Sequence, residues 1–228
     1  VRPGELPRSG QPGTDAGIAL AVALGVPDAT VALGKAPQGA QTLGAVRSAP
    51  VDRLVEQALS QSDNLLAESL ARHVALARGL PATFEGSAAA VTDALTAAGL
   101  DVTGVSLADG SGLSSTGRVP VALLTELLTR AADGTLPGVS AVLSGLPVAG
   151  YDGTLIERGD VDPDTAPGSV RAKTGTLLGV HGLAGTVVTA EGRLLVFAVL
   201  ADGAPANGEA AEAALDGIGS ALAACGCR

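Results

Sequence analysis

Tryptophan and methionine are absent from this 228-residue chain, which has only one tyrosine and two phenylalanines. An interior without large rings must be filled by Ala, Val and Leu, so helices and strands should approach closely through small contacts. Positive charge is scarce, with 14 Lys+Arg against 23 Asp+Glu and a net charge of −9. No basic stripe exists to meet phosphates, which excludes nucleic acid as a partner. The only cysteines, Cys225 and Cys227, stand in a C-terminal Cys-Gly-Cys-Arg. A disulfide across so short a loop would be strained. Two ligands with both histidines, His73 and His181, far off in sequence make no metal site. A tail with two free thiols is the expectation, with no metal and no cofactor. No apolar run reaches the roughly 18 residues of a membrane span. The opening VRPGELPRSGQPG has no apolar core of the kind a signal peptide needs, so none is expected within the chain.

Two residue types are rare enough for their positions to carry information. The only lysines are Lys35 and Lys173, and the only asparagines are Asn64 and Asn207. Elsewhere the chain uses arginine as its cation, so Lys173 points to a need for a compact ammonium. It lies in the stretch that organises the chain, residues 169–201. There Val170 and Ala172 alternate with Arg171 and Lys173, the period of a half-buried strand. Two apolar, β-branched runs, 183–189 and 194–200, follow on either side of the polar turn Ala190-Glu191-Gly192-Arg193. An antiparallel sheet over about 169–177, 180–189 and 193–201 is predicted.

Before this unit, residues 1–15 are rich in Pro and Gly and read as a linker. A helix capped by Asp15 is predicted over 15–25, and strands over 29–34 and 41–46. Helices follow at 51–60, with Leu54, Val55, Ala58 and Leu59 on one face, and at 65–78, 87–98 and 119–132. A turn or two of helix is expected at 135–143. Between the first two of these helices stands Ser62-Asp63-Asn64, any member of which could simply cap the helix that follows. A short strand is predicted to enter the Gly/Ser loop of SLADGSGLSS (106–115), whose spacing is not that of a phosphate cradle. An acidic, Pro-rich excursion covers 157–168, and a last helix, capped by Asn207, covers 207–224.

Ser62-Asp63-Asn64 followed downstream by Lys173-Thr174-Gly175 is a motif pair of β-lactamases and penicillin-binding proteins. With their surroundings, QSDNLLAE, LADGSGLS, LPVAGYDGTL and VRAKTGTLLGVHGLAG, these motifs resemble the class C low-molecular-mass penicillin-binding proteins. These are extracytoplasmic D-alanyl-D-alanine carboxypeptidases and endopeptidases of peptidoglycan. The resemblance covers residues 16–224. It implies an α+β, penicillin-binding/β-lactamase-like fold, an antiparallel sheet flanked by helices. One departure is severe: the family's nucleophile lies in a Ser-Xaa-Xaa-Lys motif, but Ala32 and Val170 stand three positions before the two lysines. The chain therefore resembles the C-terminal half of such an enzyme, incomplete without an N-terminal half. Residues 1–47 would be the exit from the family's insertion domains, and residues 48–228 the C-terminal part of the penicillin-binding domain.

The resemblance also implies roles and partners. Ser62 would pass a proton to the leaving amine and Asn64 would hold the substrate amide, with Asp63 beside them. Lys173 would stabilise negative charge and orient Ser62. Thr174 and Gly175 would meet the substrate's terminal carboxylate, and the backbone N–H of Thr176 would supply one oxyanion donor. Expected partners are D-Ala-D-Ala peptides of peptidoglycan, β-lactams and the missing half, outside the cytoplasm. A class A β-lactamase would need Glu-Xaa-Xaa-Xaa-Asn, which the chain lacks. A second alternative is a non-catalytic module that binds cell-wall peptide or a partner without turnover. A third is a Gly/Ala-rich structural domain with no site.

Overall fold

A computed structural model describes residues 9–158, 168–205 and 208–226. The chain divides into two units, Val1–Ser48 and Ala49–Arg228.

In the first unit, helix α1 (Pro12–Ala23) begins earlier than predicted. Pro12 takes the first helical turn, where a missing N–H costs nothing, and this moves Asp15 from the cap into the first turn. The strands predicted over 29–34 and 41–46 do not form. Leu33, Leu43 and Val46 are 85%, 96% and 101% exposed. An apolar run becomes a strand only when a partner takes its N–H and C=O groups, and no described segment of this unit does so.

The second unit is built on a three-stranded antiparallel sheet, β1 (Val170–Leu177), β2 (Val180–Val188) and β3 (Leu194–Asp202), in that order. Only Leu178 and Gly179 join β1 to β2, and Gly179 has φ +75° as a tight hairpin requires. Gly185 is also obligatory, because a Cβ there would lie 2.0 Å from the Arg171 carbonyl oxygen. One face carries Ala172, Leu183, Val187 and Phe197, which form the core with Leu215 and Ala223 of the C-terminal helix. That helix, here α7 (Glu209–Ala223), is capped by Gly208 rather than by the expected Asn207, which lies outside the described residues. Most of the expected 157–168 excursion lies outside them too.

The remaining helices are α2 (Val51–Ser60), α3 (Asn64–Ala77), α4 (Phe84–Ala97), α5 (Val121–Ala132) and α6 (Ser140–Gly145). The third packs on the fourth, the second on the sixth, and α5 lies against β2 and β3. Helix α4 starts three residues before the predicted 87, because Thr83 accepts from Gly86 N at 3.1 Å and caps it. The turns expected at 135–143 are displaced to α6, since Gly134 and Gly138 at φ +74° and +80° break the helix before it. The strand predicted to enter 106–115 shrinks to one bridge between Ser106 and Arg118. Cys225 is disulfide-bonded, which corrects the expectation of free thiols. The chain's only other cysteine, Cys227, lies outside the described residues.

Candidate active site

The site is assembled from the α2–α3 junction, the first strand and the 106–118 loop. Helix α2 ends at Ser60, and Ser62 turns the chain with φ +51°, the only positive φ of a non-glycine among the described residues. A serine pays of order 1 kcal/mol or more for that conformation, and such strain persists where the surroundings enforce it. Asp63 then caps α3, accepting from Leu66 N at 3.0 Å. Its carboxylate is thus bound into the fold although it also lines the cleft described below. Asn64, the first residue of α3, is exposed and lines the same cleft.

Lys173 is brought to this junction across 111 positions of sequence. Ala172, its neighbour on β1, is fully buried against the core, so strand alternation sends Lys173 to the opposite face. Its ammonium donates to Ser62 Oγ at 2.8 Å and to the Thr174 carbonyl at 2.6 Å. Both acceptors are neutral. Burial pushes this lysine down from its ordinary 10.5 to about 8. Because Ser62 Oγ accepts from Lys173, its own proton is left to point elsewhere.

Thr174, on the core side, donates from Oγ1 to Oγ1 of Thr154 at 2.9 Å. Thr154 sits in a single 3₁₀ turn, Gly153–Leu155. Thr176 donates to Glu212 of α7 at 3.3 Å.

The backbone of β1 has a paired half and an open half. Ala149 N donates to Val170 O at 3.0 Å and Ala172 N donates to Pro147 O at 2.9 Å. The even residues of this strand therefore aim N–H and C=O at the outer edge, while the odd ones bond to β2. By the same alternation the N–H groups of Thr174 and Thr176 aim at that edge. They do so beside a cleft of about 450 Å³. Ser62, Asp63, Asn64, Lys173, Thr174, Gly175 and Thr176 all line it, and 110–113 form the wall facing them. Thus all seven sequence-derived candidates reach one cleft. Two contributors were missed. Thr154 lies in the LPVAGYDGTL stretch but gives no local sign of its partner. Glu68 accepts from Gly110 N and Ser111 N at 2.9 and 3.0 Å and holds the wall. Among the described residues no group of three His, Cys, Asp or Glu could hold a metal, and no helix is long and apolar enough to cross a membrane.

The sequence pattern of the D-Ala-D-Ala carboxypeptidase 3 (S13) family matches residues 5–223. Carboxypeptidase DacB of Mycolicibacterium smegmatis is 41% identical over 224 residues, which cover 96% of this chain and 48% of that protein. D-alanyl-D-alanine carboxypeptidase DacB of Haemophilus influenzae is 34% identical over 174 residues, 76% of this chain and 36% of that one. Among solved structures, penicillin binding protein 4 of Haemophilus influenzae, in complex with a β-lactam, aligns with a TM-score of 0.66 at 34% identity. That alignment covers 76% of this chain and 40% of the other. The chain spans about half the length, or less, of the curated relatives it matches.

Proposed function

Because the chain belongs to the D-Ala-D-Ala carboxypeptidase 3 (S13) family, we propose that it forms one wall of a serine-type peptidase site acting on D-Ala-D-Ala peptides of peptidoglycan outside the cytoplasm. Ser-Xaa-Xaa-Lys does not occur in this sequence. The nucleophile therefore comes from polypeptide outside it, and residues 48–228 contribute the remaining machinery. The observation that carries this reading is the 2.8 Å contact between Lys173 and Ser62 beside an open strand edge.

The chemistry follows from the groups present. The peptide lies along the edge at residues 174–176 as an added strand, taking up backbone groups that β2 does not use. The oxygen of an incoming serine attacks the acyl carbon, its proton passing to the neutral lysine of its own motif, and the carbonyl oxygen gains negative charge. The Thr176 N–H, aimed at the edge, stabilises that charge, an effect worth about 10²- to 10³-fold per donor. Lys173 adds a fixed positive charge and keeps the Ser62 proton turned toward the cleft. Ser62 then delivers that proton to the leaving amine as the C–N bond breaks, and the lysine of the nucleophile motif, which holds the proton taken from the attacking serine, restores it while Lys173 stays charged. With its ammonium near 8, Lys173 remains mostly charged at neutral pH, as that role requires. On peptide binding the Thr174 hydroxyl turns its proton from Thr154 to the terminal carboxylate, beside Gly175. Asn64 binds the substrate amide. Water releases the acyl group in the second half of the cycle.

The test is a gel with fluorescent penicillin on this chain, on a segment of the parent protein carrying Ser-Xaa-Xaa-Lys, and on their mixture. Label is expected only in the mixture and only on the added segment. Label on this chain alone would place the nucleophile among its own serines and overturn the reading. Penicillin or peptide binding by the mixture with no covalent label would favour the non-catalytic module.

A further inference from the structure

Asn64 and Glu68 stand one turn apart on α3 and face different tasks. Asn64 lines the cleft, whereas Glu68 does not. One oxygen of Glu68 instead receives two consecutive backbone amides of the opposite wall, Gly110 N at 2.9 Å and Ser111 N at 3.0 Å. The wall is a separate small construction. Asp109 winds it internally, accepting from Gly112 N at 2.5 Å and Ser114 N at 2.7 Å. It is seated flush on the helix, since a Cβ at Gly110 would lie 2.5 Å from Ala71 Cβ and 3.2 Å from the Ala67 carbonyl oxygen. Among the described residues the two bonds to Glu68 are the hydrogen bonds that join this wall to the helix. The second oxygen, Oε2, is buried without a hydrogen-bond partner among the described residues. A carboxylate oxygen left in that state is costly, so it is kept only where the first oxygen's work outweighs it.

We infer that Glu68 is a positioning residue that sets the width of the cleft. It ties the 110–113 wall to the same rigid helix that carries Asn64, so that the wall and the strand edge at 174–176 hold a peptide between them at a constant spacing. This rests on the reading of the cleft as a peptide site, but the tie itself does not. The geometry demands one acceptor at Oε1, not a charge. Glu68→Gln keeps that acceptor and puts an amide nitrogen at the Oε2 position. Glu68→Asp keeps the charge but withdraws it by a methylene. Glu68→Ala removes both.

Two readouts separate the tie from the function. The first is amide hydrogen exchange in this chain alone. Exchange at Gly110 and Ser111 should accelerate at least about tenfold in Glu68→Asp and Glu68→Ala, stay near wild type in Glu68→Gln, and not change at β2. The second is the rate of penicillin labelling in the mixture with the Ser-Xaa-Xaa-Lys segment. It should fall about tenfold or more in the Asp and Ala variants and be retained by Gln, because a displaced wall misaligns the ligand. If Glu68→Ala does not fold, the Asp and Gln variants carry the comparison. Unchanged exchange at the two amides in Glu68→Asp overturns the tie. So does damage in Glu68→Gln equal to that in Glu68→Asp. Accelerated exchange with undiminished labelling overturns the role in the cleft. A wild-type mixture that takes no label refutes the functional reading, while the exchange comparison still decides the tie.

Discussion

Replacing Lys173 by methionine tests the electrostatics of the cleft most directly. The ammonium sits against neutral acceptors, and burial holds it near 8 instead of 10.5. Below pH 8 both folded and unfolded chains carry the proton, and folding bears the full cost of taking the charge out of water. Between pH 8 and 10.5 the folded chain has released the proton while the unfolded chain still binds it, so stability rises with pH in that window. Above 10.5 the cost is gone. The gap from 10.5 to about 8, at about 1.4 kcal/mol per tenfold, sets a ceiling of roughly 3 kcal/mol. The side chain is only partly buried and water reaches the cleft, so about half that ceiling is expected. Lys173→Met, similar in length and uncharged, should therefore be more stable than wild type by about 1–2 kcal/mol at pH 7, the advantage fading as pH rises from 8 to 10.5. Urea titrations of both proteins from pH 6 to 11 measure it, and the difference between them cancels other groups that titrate in that range. The same variant should abolish penicillin labelling in the complemented site. A stability difference that is flat across pH 8–10.5, or a variant less stable at pH 7 than at pH 10.5 relative to wild type, would refute a desolvated lysine.

Further outcomes follow from particular contacts. Ser62→Gly removes the strain of φ +51° but also one of the two acceptors of the Lys173 ammonium, so thermal unfolding should show a net change within about 1 kcal/mol, while the complemented site loses most of its labelling rate. Asp63→Ala deletes the cap of α3 and should lower stability by about 1 kcal/mol, within the usual 0.5–2 kcal/mol range, by denaturant titration. Asp216→Ala strips Arg158 of its paired bonds at 3.0 and 2.8 Å in a poorly exposed position, and a loss of about 3 kcal/mol is expected. Gly185→Ala forces a Cβ to within 2.0 Å of the Arg171 carbonyl oxygen, and circular dichroism should show a chain that no longer melts cooperatively.

Much of the second unit was legible in the chain because its signals are local. Alternation at 170–173, the turn glycines and the β-branched runs specify three strands, and the sheet follows with boundaries shifted by at most a residue or so. Helix α2 matches its predicted span because its apolar face and Pro50 mark it within a few residues. The predicted strands at 29–34 and 41–46 failed for the complementary reason. Their composition is strand-like, but a strand exists only in a ladder, and composition does not say whether a partner is near. Local chemistry also misplaced the cap at Asp15.

For the site, residue rarity and motif order named Ser62, Asp63, Asn64, Lys173, Thr174 and Gly175, and the family resemblance added Thr176, before any distance was known. Sequence alone determined which groups are present: one compact ammonium on a strand, one asparagine at a helix start, and no serine three positions before a lysine. The tertiary structure decided what those groups do to one another. It set Ser62 against Lys173, depressed the lysine by burial, left the strand edge open at 174–176, and gave Thr154 and Glu68, which lie inside the family-like stretches LPVAGYDGTL and QSDNLLAE, the partners that those stretches do not name. The reason is physical: a strand or a cap is stabilised by neighbours a few residues away, whereas a hydrogen bond across 111 positions, and the desolvation that retunes an ammonium, exist only after the chain has packed.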